Sequence, residues 1–406
     1  MSKKIVALLC VVLMLVSLTA CQQKVGDTPA APADDNAPAA EAPQTESEAP
    51  VDAEVLTIGV FGPLTGTMAV GGTHQKDGIQ YAIDEINANG GLCGGKYTLA
   101  AIYEDTEGNS ENAVTIMNKF LYKDNVICTM GSNNSPEVLA VLDMIDEAQT
   151  PHIVPSGVSM AITASGSEWV YRCTATDVLY SKMLVDYSVN SLKSANIAVM
   201  YDTNDYGVGG KNLVEQYLAD YSITPAVEEG YATGSKDFSS SLLKVKSAGC
   251  DTLILWGNYT EAGQIVKQIR ELGLDINIML STGATIGNFY ELAGADANGC
   301  YGVTSGFSTG RTDEVAVNFM EAYAASHDYG ADVNVVMAYD ATMVLAAAIE
   351  AAGSADKTAI RDALKGLVDE GISGAIDFKD IGEGGSATLM YVITDGTNGT
   401  VELIEN

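Results

Sequence analysis

Two short stretches of small polar residues, each set directly behind an apolar run, carry the clearest chemistry in the chain: Gly131-Ser132-Asn133-Asn134-Ser135 and Pro155-Ser156-Gly157-Val158-Ser159. Free hydroxyls and open backbone N–H groups of this kind hold the anionic or polar end of a ligand, above all beside a helix N-terminus. Pro136 follows the first stretch where a helix takes its first residue, which makes Ser135 the expected N-cap. The apolar runs 126–130 and 152–154 read as strands. Between them Val138, Leu139, Val141, Leu142 and Ile145 recur at spacings of three and four, so the intervening helix buries one face. Ligands of an open parallel sheet bind outside the carboxyl ends of its strands. Two such loops side by side make half a binding site.

Catalytic and metal patterns fail on spacing. Gly306-Phe307-Ser308-Thr309-Gly310 fits G-x-S-x-G, but the one later histidine is His327, in the very next helix. Gly207-Val208-Gly209-Gly210 lacks the third glycine of a dinucleotide fingerprint. Residues 202–207 start like a calcium loop, yet Tyr206 stands at a ligand position and Leu213 where the bidentate Glu belongs. His74, His152 and His327 have no metal-ligand spacing, so neither an enzyme nor a cofactor is expected.

The elements that position the two loops belong to a long alternation. Strands are expected at 55–61, 97–103, 197–201, 226–231, 252–256, 277–280 and 302–307, with helices at 76–88, 110–123, 179–192, 211–221, 237–248 and 261–272. Strands that are apolar on both faces and separated by helices imply an α/β fold with doubly wound parallel sheets. Helices at 313–327, 335–352 and 357–367 and a hairpin of 389–393 with 400–404 then break the alternation.

A chain of 406 residues, 47% apolar and 18% charged, has material for two cores. Residues 1–20 read as an export signal: Lys3 and Lys4 are basic, and 5–18 is apolar but short for a membrane span, which needs about 20 residues. Residues 21–53, rich in Ala, Pro and Glu, read as an extended tether with no core. The formal charge of −32 deepens when the two leader lysines go, which argues against a nucleic-acid partner. Cys93, Cys128, Cys173, Cys250 and Cys300 form no C-x-x-C, so mostly buried free thiols are expected, with one or two bridges at most.

Motifs in register along the body carry a resemblance. Ile58-Gly59-Val60-Phe61-Gly62-Pro63-Leu64-Thr65-Gly66, residues 78–87 with Gly90-Gly91, Tyr103-Glu104-Asp105, Arg172 with Asp177, 202–207, Asp237-Phe238-Ser239 and Leu292-Ala293-Gly294 together resemble the leucine/isoleucine/valine-binding family of ABC-transporter receptors. Leu18-Thr19-Ala20-Cys21 likewise resembles a lipobox, which implies lipidation of Cys21 and attachment to the outer face of the cytoplasmic membrane.

The resemblance implies a type I periplasmic-binding fold, with one lobe from 54–175 plus 303–375 and a second from 176–302 plus 376–406, joined by three crossings. It implies a monomer that closes on a small carboxylate or amide, of branched-chain amino-acid type, and delivers it to ABC permease subunits. A ligand sensor reporting to a membrane signalling partner is the alternative. Carried over by position, the ligand residues are Ser135, Ser156, Gly157 and Val158 from the first lobe, Tyr206, Tyr259 and Thr282 from the second, and Tyr339 near the hinge. Amino-acid receptors of the family have a hydroxyl residue at the place of Val158 and a carboxylate at that of Thr282. An α-ammonium then needs a substitute acid, with Asp205 or Asp340 the candidates. Gly71 stands where an aromatic side chain is frequent, which enlarges the pocket.

Overall fold

The computed structural model describes residues 53–378 and 382–405. The leader, Cys21 and nearly all of the tether lie outside that range.

Five strands, β1 (Glu54–Gly62), β2 (Tyr97–Asp105), β3 (Cys128–Met130), β4 (His152–Val154) and β5 (Val170–Arg172), form one sheet in the order β2-β1-β3-β4-β5, parallel throughout. The chain steps outward from β1 to β2 and then back past β1 to β3. The strand order thus reverses between β1 and β3, where a doubly wound sheet opens its crevice.

A second sheet repeats the design. Its parallel part comprises β6 (Ile197–Asp202), β7 (Val227–Tyr231), β8 (Thr252–Trp256), β9 (Asn277–Leu280) and β10 (Tyr301–Ser305). After a small hairpin of β11 (Val368–Gly371) and β12 (Gly374–Asp377), the antiparallel pair β13 (Thr388–Asp395) and β14 (Thr400–Leu403) completes the order β14-β13-β10-β9-β8-β6-β7. Here the reversal falls between β6 and β8.

Helices cover both sheets. Ala69–Ala88 packs against Val333–Ala352, and Ile79, Ile83, Met337, Ala341 and Leu345 join Ile58, Val60 and Met130 in the first lobe's core. Val333–Ala352 is long and apolar enough to cross a membrane, at mean hydropathy 1.6, yet 72% of that window is buried inside the protein. In the second lobe Leu253, Leu255, Ile265, Ile269 and Ile278 form the matching core. The helix Asp205–Asp220 lies so close to its sheet that a Cβ at Gly210 would meet the Trp256 ring at 2.0 Å.

Several expectations shift. The helix after Ser135 is two pieces, Ser135–Leu139 and Leu142–Ala148, and Asn134 rather than Ser135 takes the N-cap position. The short strand β5, the β11–β12 hairpin and the helix Phe289–Ala293 were not expected from periodicity, each being five residues or fewer. The lobe boundaries also move: β10 keeps the second sheet going to Ser305, and Ile376 and Phe378 still pack in the first lobe's core. All five described cysteines are free, four of them buried, so neither of the allowed bridges forms.

Candidate functional site

The carboxyl ends of both sheets face one cavity. Ser135 reaches it from the loop after β3, Ser156 and Val158 from the loop after β4, and Thr174 from the exit of β5. From the second lobe come Tyr206 after β6, Asn258 after β8, Thr282 and Gly283 after β9, and Thr304 and Ser305 at the end of β10. The strand-order reversals of both sheets therefore supply facing walls.

Backbone geometry prepares the first wall. Gly131 turns the chain out of β3 at φ +122°, where a Cβ would lie 2.1 Å from the Phe61 carbonyl oxygen. Ser135 accepts a hydrogen bond at Oγ from Ser159 N at 3.3 Å, tying the two loops together. Behind the second loop the fully buried Arg172 donates through Nη1 to the carbonyls of Ser159 (2.6 Å) and Val158 (3.2 Å), and through Nη2 to Glu383 Oε1 (2.7 Å). With those carbonyls held on the guanidinium, the N–H groups of Ser156, Gly157 and Val158 donate to no acceptor among the described residues. They remain free for a ligand. Gly157 itself is off the cavity lining. A Cβ there would stand 2.9 Å from Val154 Cγ1, so its role is close loop packing.

On the opposite wall the Tyr206 hydroxyl accepts from Gly283 N at 3.1 Å and lies 3.5 Å from Thr282 Oγ1. Burial raises its phenol above the ordinary range, with the Asp177 charge adding to the effect. Tyr259 is buried beside the cleft without lining the cavity, and its hydroxyl accepts from Gly71 N at 3.5 Å, a long contact across the lobes. Thr260 Oγ1 donates to the Thr67 carbonyl at 3.0 Å, a second such contact, and Met68 packs into the second lobe's core. The two lobes are closed on each other.

Tyr339 is outside the cavity lining, contrary to its expected place. Val333, Asn334 and Met337 share the cavity face of their helix, and two residues beyond Met337 the side chain has turned by about 200°. Tyr339 instead donates to Glu85 Oε2 at 3.0 Å and packs against Phe319 and Tyr81. Neither substitute acid reaches the cavity lining. Asp205 is exposed at the start of its helix, and Asp340 accepts from the N–H groups of Ile372 and Ser373 at 2.9 Å each.

No charged side chain among the described residues lines the cavity. Burial pushes the Asp177 carboxyl up to about 7 against the opposing pull of Arg172, and it acts on Tyr206 and Tyr180 from behind the wall. Sequence reasoning missed Asn133, Asn134, Asn258, Asn334 and Tyr180. The first two lie inside a loop already singled out, while Asn334 gave no local signal at all. Among the described residues, no cluster of three metal-ligating side chains occurs. Ser308 shares a neighbouring cavity with the His74–Asp332 pair, but its Oγ accepts from Gly310 N at 3.2 Å and no hydrogen bond joins it to His74.

Two lobes with facing strand ends, closed on an uncharged cavity, define a solute-binding protein of the type I periplasmic class. The chain belongs to the periplasmic binding protein family, whose model matches residues 55–399. It is 28% identical over 331 residues to the leucine-, isoleucine-, valine-, threonine- and alanine-binding protein of Pseudomonas aeruginosa, covering 82% of this chain and 87% of that one. To the Leu/Ile/Val-binding protein BraC3 of Rhizobium johnstonii it is 30% identical over 318 residues, 78% and 85% of the two chains. The branched-chain amino acid transporter substrate-binding protein LivJ of Streptococcus pneumoniae, solved with isoleucine, superposes with TM-score 0.80 at 26% identity, covering 87% of this chain and all of that one. The protein is thus an exported binding protein of an ABC importer and not an enzyme.

Proposed function

We propose that the solute is a small carboxylate or amide without an α-ammonium group, taken up at the outer face of the cytoplasmic membrane by a Cys21-anchored monomer and passed to ABC permease subunits. That no described residue lining the cavity is charged carries this reading. A carboxylate finds the Ser135 hydroxyl, the free N–H groups of Ser156 and Val158 and the Tyr206 hydroxyl, all neutral donors. An ammonium finds no anion among the described lining residues, and enclosing a charge without a counter-charge is expensive. The relatives named for leucine, isoleucine and valine support the size and the carboxylate end of such a solute.

Binding to the native state alone raises the melting temperature by mass action, with stabilisation of about 2.7 kcal/mol at a hundred times Kd. A thermal-shift panel of short carboxylates, amides and amino acids on the mature protein is the direct test. Ser135→Ala should cut the shift given by carboxylates, and a panel in which only α-amino acids stabilise the protein would contradict the proposal.

A further inference from the structure

Two side-chain amides converge on the space left by Gly71. A Cβ at that glycine would stand 2.5 Å from Asn133 Nδ2 and 3.7 Å from Asn334 Nδ2, so both amides border the volume that a side chain there would fill. Both asparagines line the cavity, and Asn334 is 1% exposed. Oδ1 and Nδ2 of Asn133, Nδ2 of Asn334 and Oγ of Ser156 are shielded from solvent and have no hydrogen-bond partner among the described residues.

The next amide of the same loop is paired within the protein. The Asn134 amide donates to Glu137 Oε1 at 3.0 Å, and the same carboxylate oxygen accepts from Thr106 Oγ1 at 2.9 Å. Buried polar atoms are normally paired and costly to leave unpaired. Single unpaired atoms occur elsewhere in the molecule, but here four, from three residues, gather on the lining of one cavity and offer a bound group its hydrogen bonds. Amide N–H donors beside an amide oxygen, with no charge, match a neutral planar group that both accepts and donates, which is a carboxamide. An isopropyl group of the same shape would leave the amide atoms of Asn133 and Asn334 unsatisfied.

We propose that Asn133 and Asn334 form an amide-recognising subsite, so that the solute carries a carboxamide at the end opposite its carboxylate. This rests on the reading that Ser135 and the 156–158 loop hold the carboxylate, and it adds the chemistry of the other end.

Titration calorimetry with four shape-matched probes tests it: succinamate, 4-methylpentanoate, L-asparagine and L-leucine. One axis exchanges amide for isopropyl, the other adds the α-ammonium. Each amide should bind at least about tenfold more tightly than its isopropyl partner. Equal or tighter binding by the isopropyl member, or no heat from either amide at about 10 mM, overturns the subsite. Asn133→Leu should abolish the preference. Asn133→Asp, equal in size, should weaken succinamate at least about tenfold while the variant still melts cooperatively. A preference undiminished in either folded variant overturns the subsite as well. Tighter binding of asparagine than succinamate, with the amides still ahead of the isopropyl probes, would instead overturn the no-ammonium reading and leave the subsite standing.

Discussion

Arg172 Nη1 lies 2.6 Å from the carbonyl oxygen of Ser159, and this contact turns the backbone of the second binding loop outward. The arginine is not itself a lining residue and reaches the cavity wall only from behind, through the Val158 carbonyl, so its part in binding is to aim the loop's N–H groups. Its charge is answered by Glu383 and by the carbonyls it holds.

Arg172→Leu should remove that support and leave two buried carbonyls without their guanidinium donor. Weakening the hydrogen bonding of a buried polar group costs about 1–3 kcal/mol, and Glu383, the charge left behind, is 36% exposed, so stability against denaturant should fall by that much and carboxylate binding should weaken with it. A folded variant within about 1 kcal/mol of the parent would contradict the role given to the arginine.

Asp177 and His152 oppose each other as pH changes. Burial pushes Asp177 from 3.8 up to about 7, and in that interval the unfolded chain has released a proton that the native state keeps, so stability falls as pH rises. Burial pushes His152 from 6.5 down to about 3, and there the unfolded chain takes up a proton that the native state refuses, so stability rises with pH. Each slope is about 1.4 kcal/mol per pH unit, and between about pH 4 and 6.5 they cancel. Asp177→Asn should leave the histidine unopposed: relative to the parent, its stability should climb by about that slope from pH 4.5 to 6.5. Parallel pH profiles for the two proteins would show that Asp177 ionises normally in the native state.

Much of this architecture was legible in the sequence because it rests on periodicity. Strands β4, β8 and β9 fall where alternation and apolar runs put them, and the loops behind β3 and β4 announced themselves through Gly131, Pro136 and Pro155. Ser135, Ser156, Val158, Tyr206 and Thr282 do meet in one cavity. Tyr339 and Asp340 were misjudged because a helix buried on nearly every side carries no polar stripe to reveal which face looks where. Asn334 stayed hidden for the same reason. The pairing of Arg172 with the loop carbonyls joins residues thirteen and fourteen apart through space, and no spacing rule could give it.

Anchoring is tested in cells. Cys21→Ser should move the protein from the membrane fraction to the soluble fraction, or leave it unprocessed with its leader attached. A normally processed mutant that stays with the membrane would contradict lipidation at Cys21.

Calorimetric titration of the mature protein with 4-methylpentanoate and with L-leucine, which share a skeleton and differ only in the α-amino group, reads out whether the cavity receives an anion and offers an ammonium no counter-charge. The acid should bind more tightly than the amino acid. Leucine binding in the micromolar range or better, about −8 kcal/mol, and ahead of 4-methylpentanoate, would contradict it.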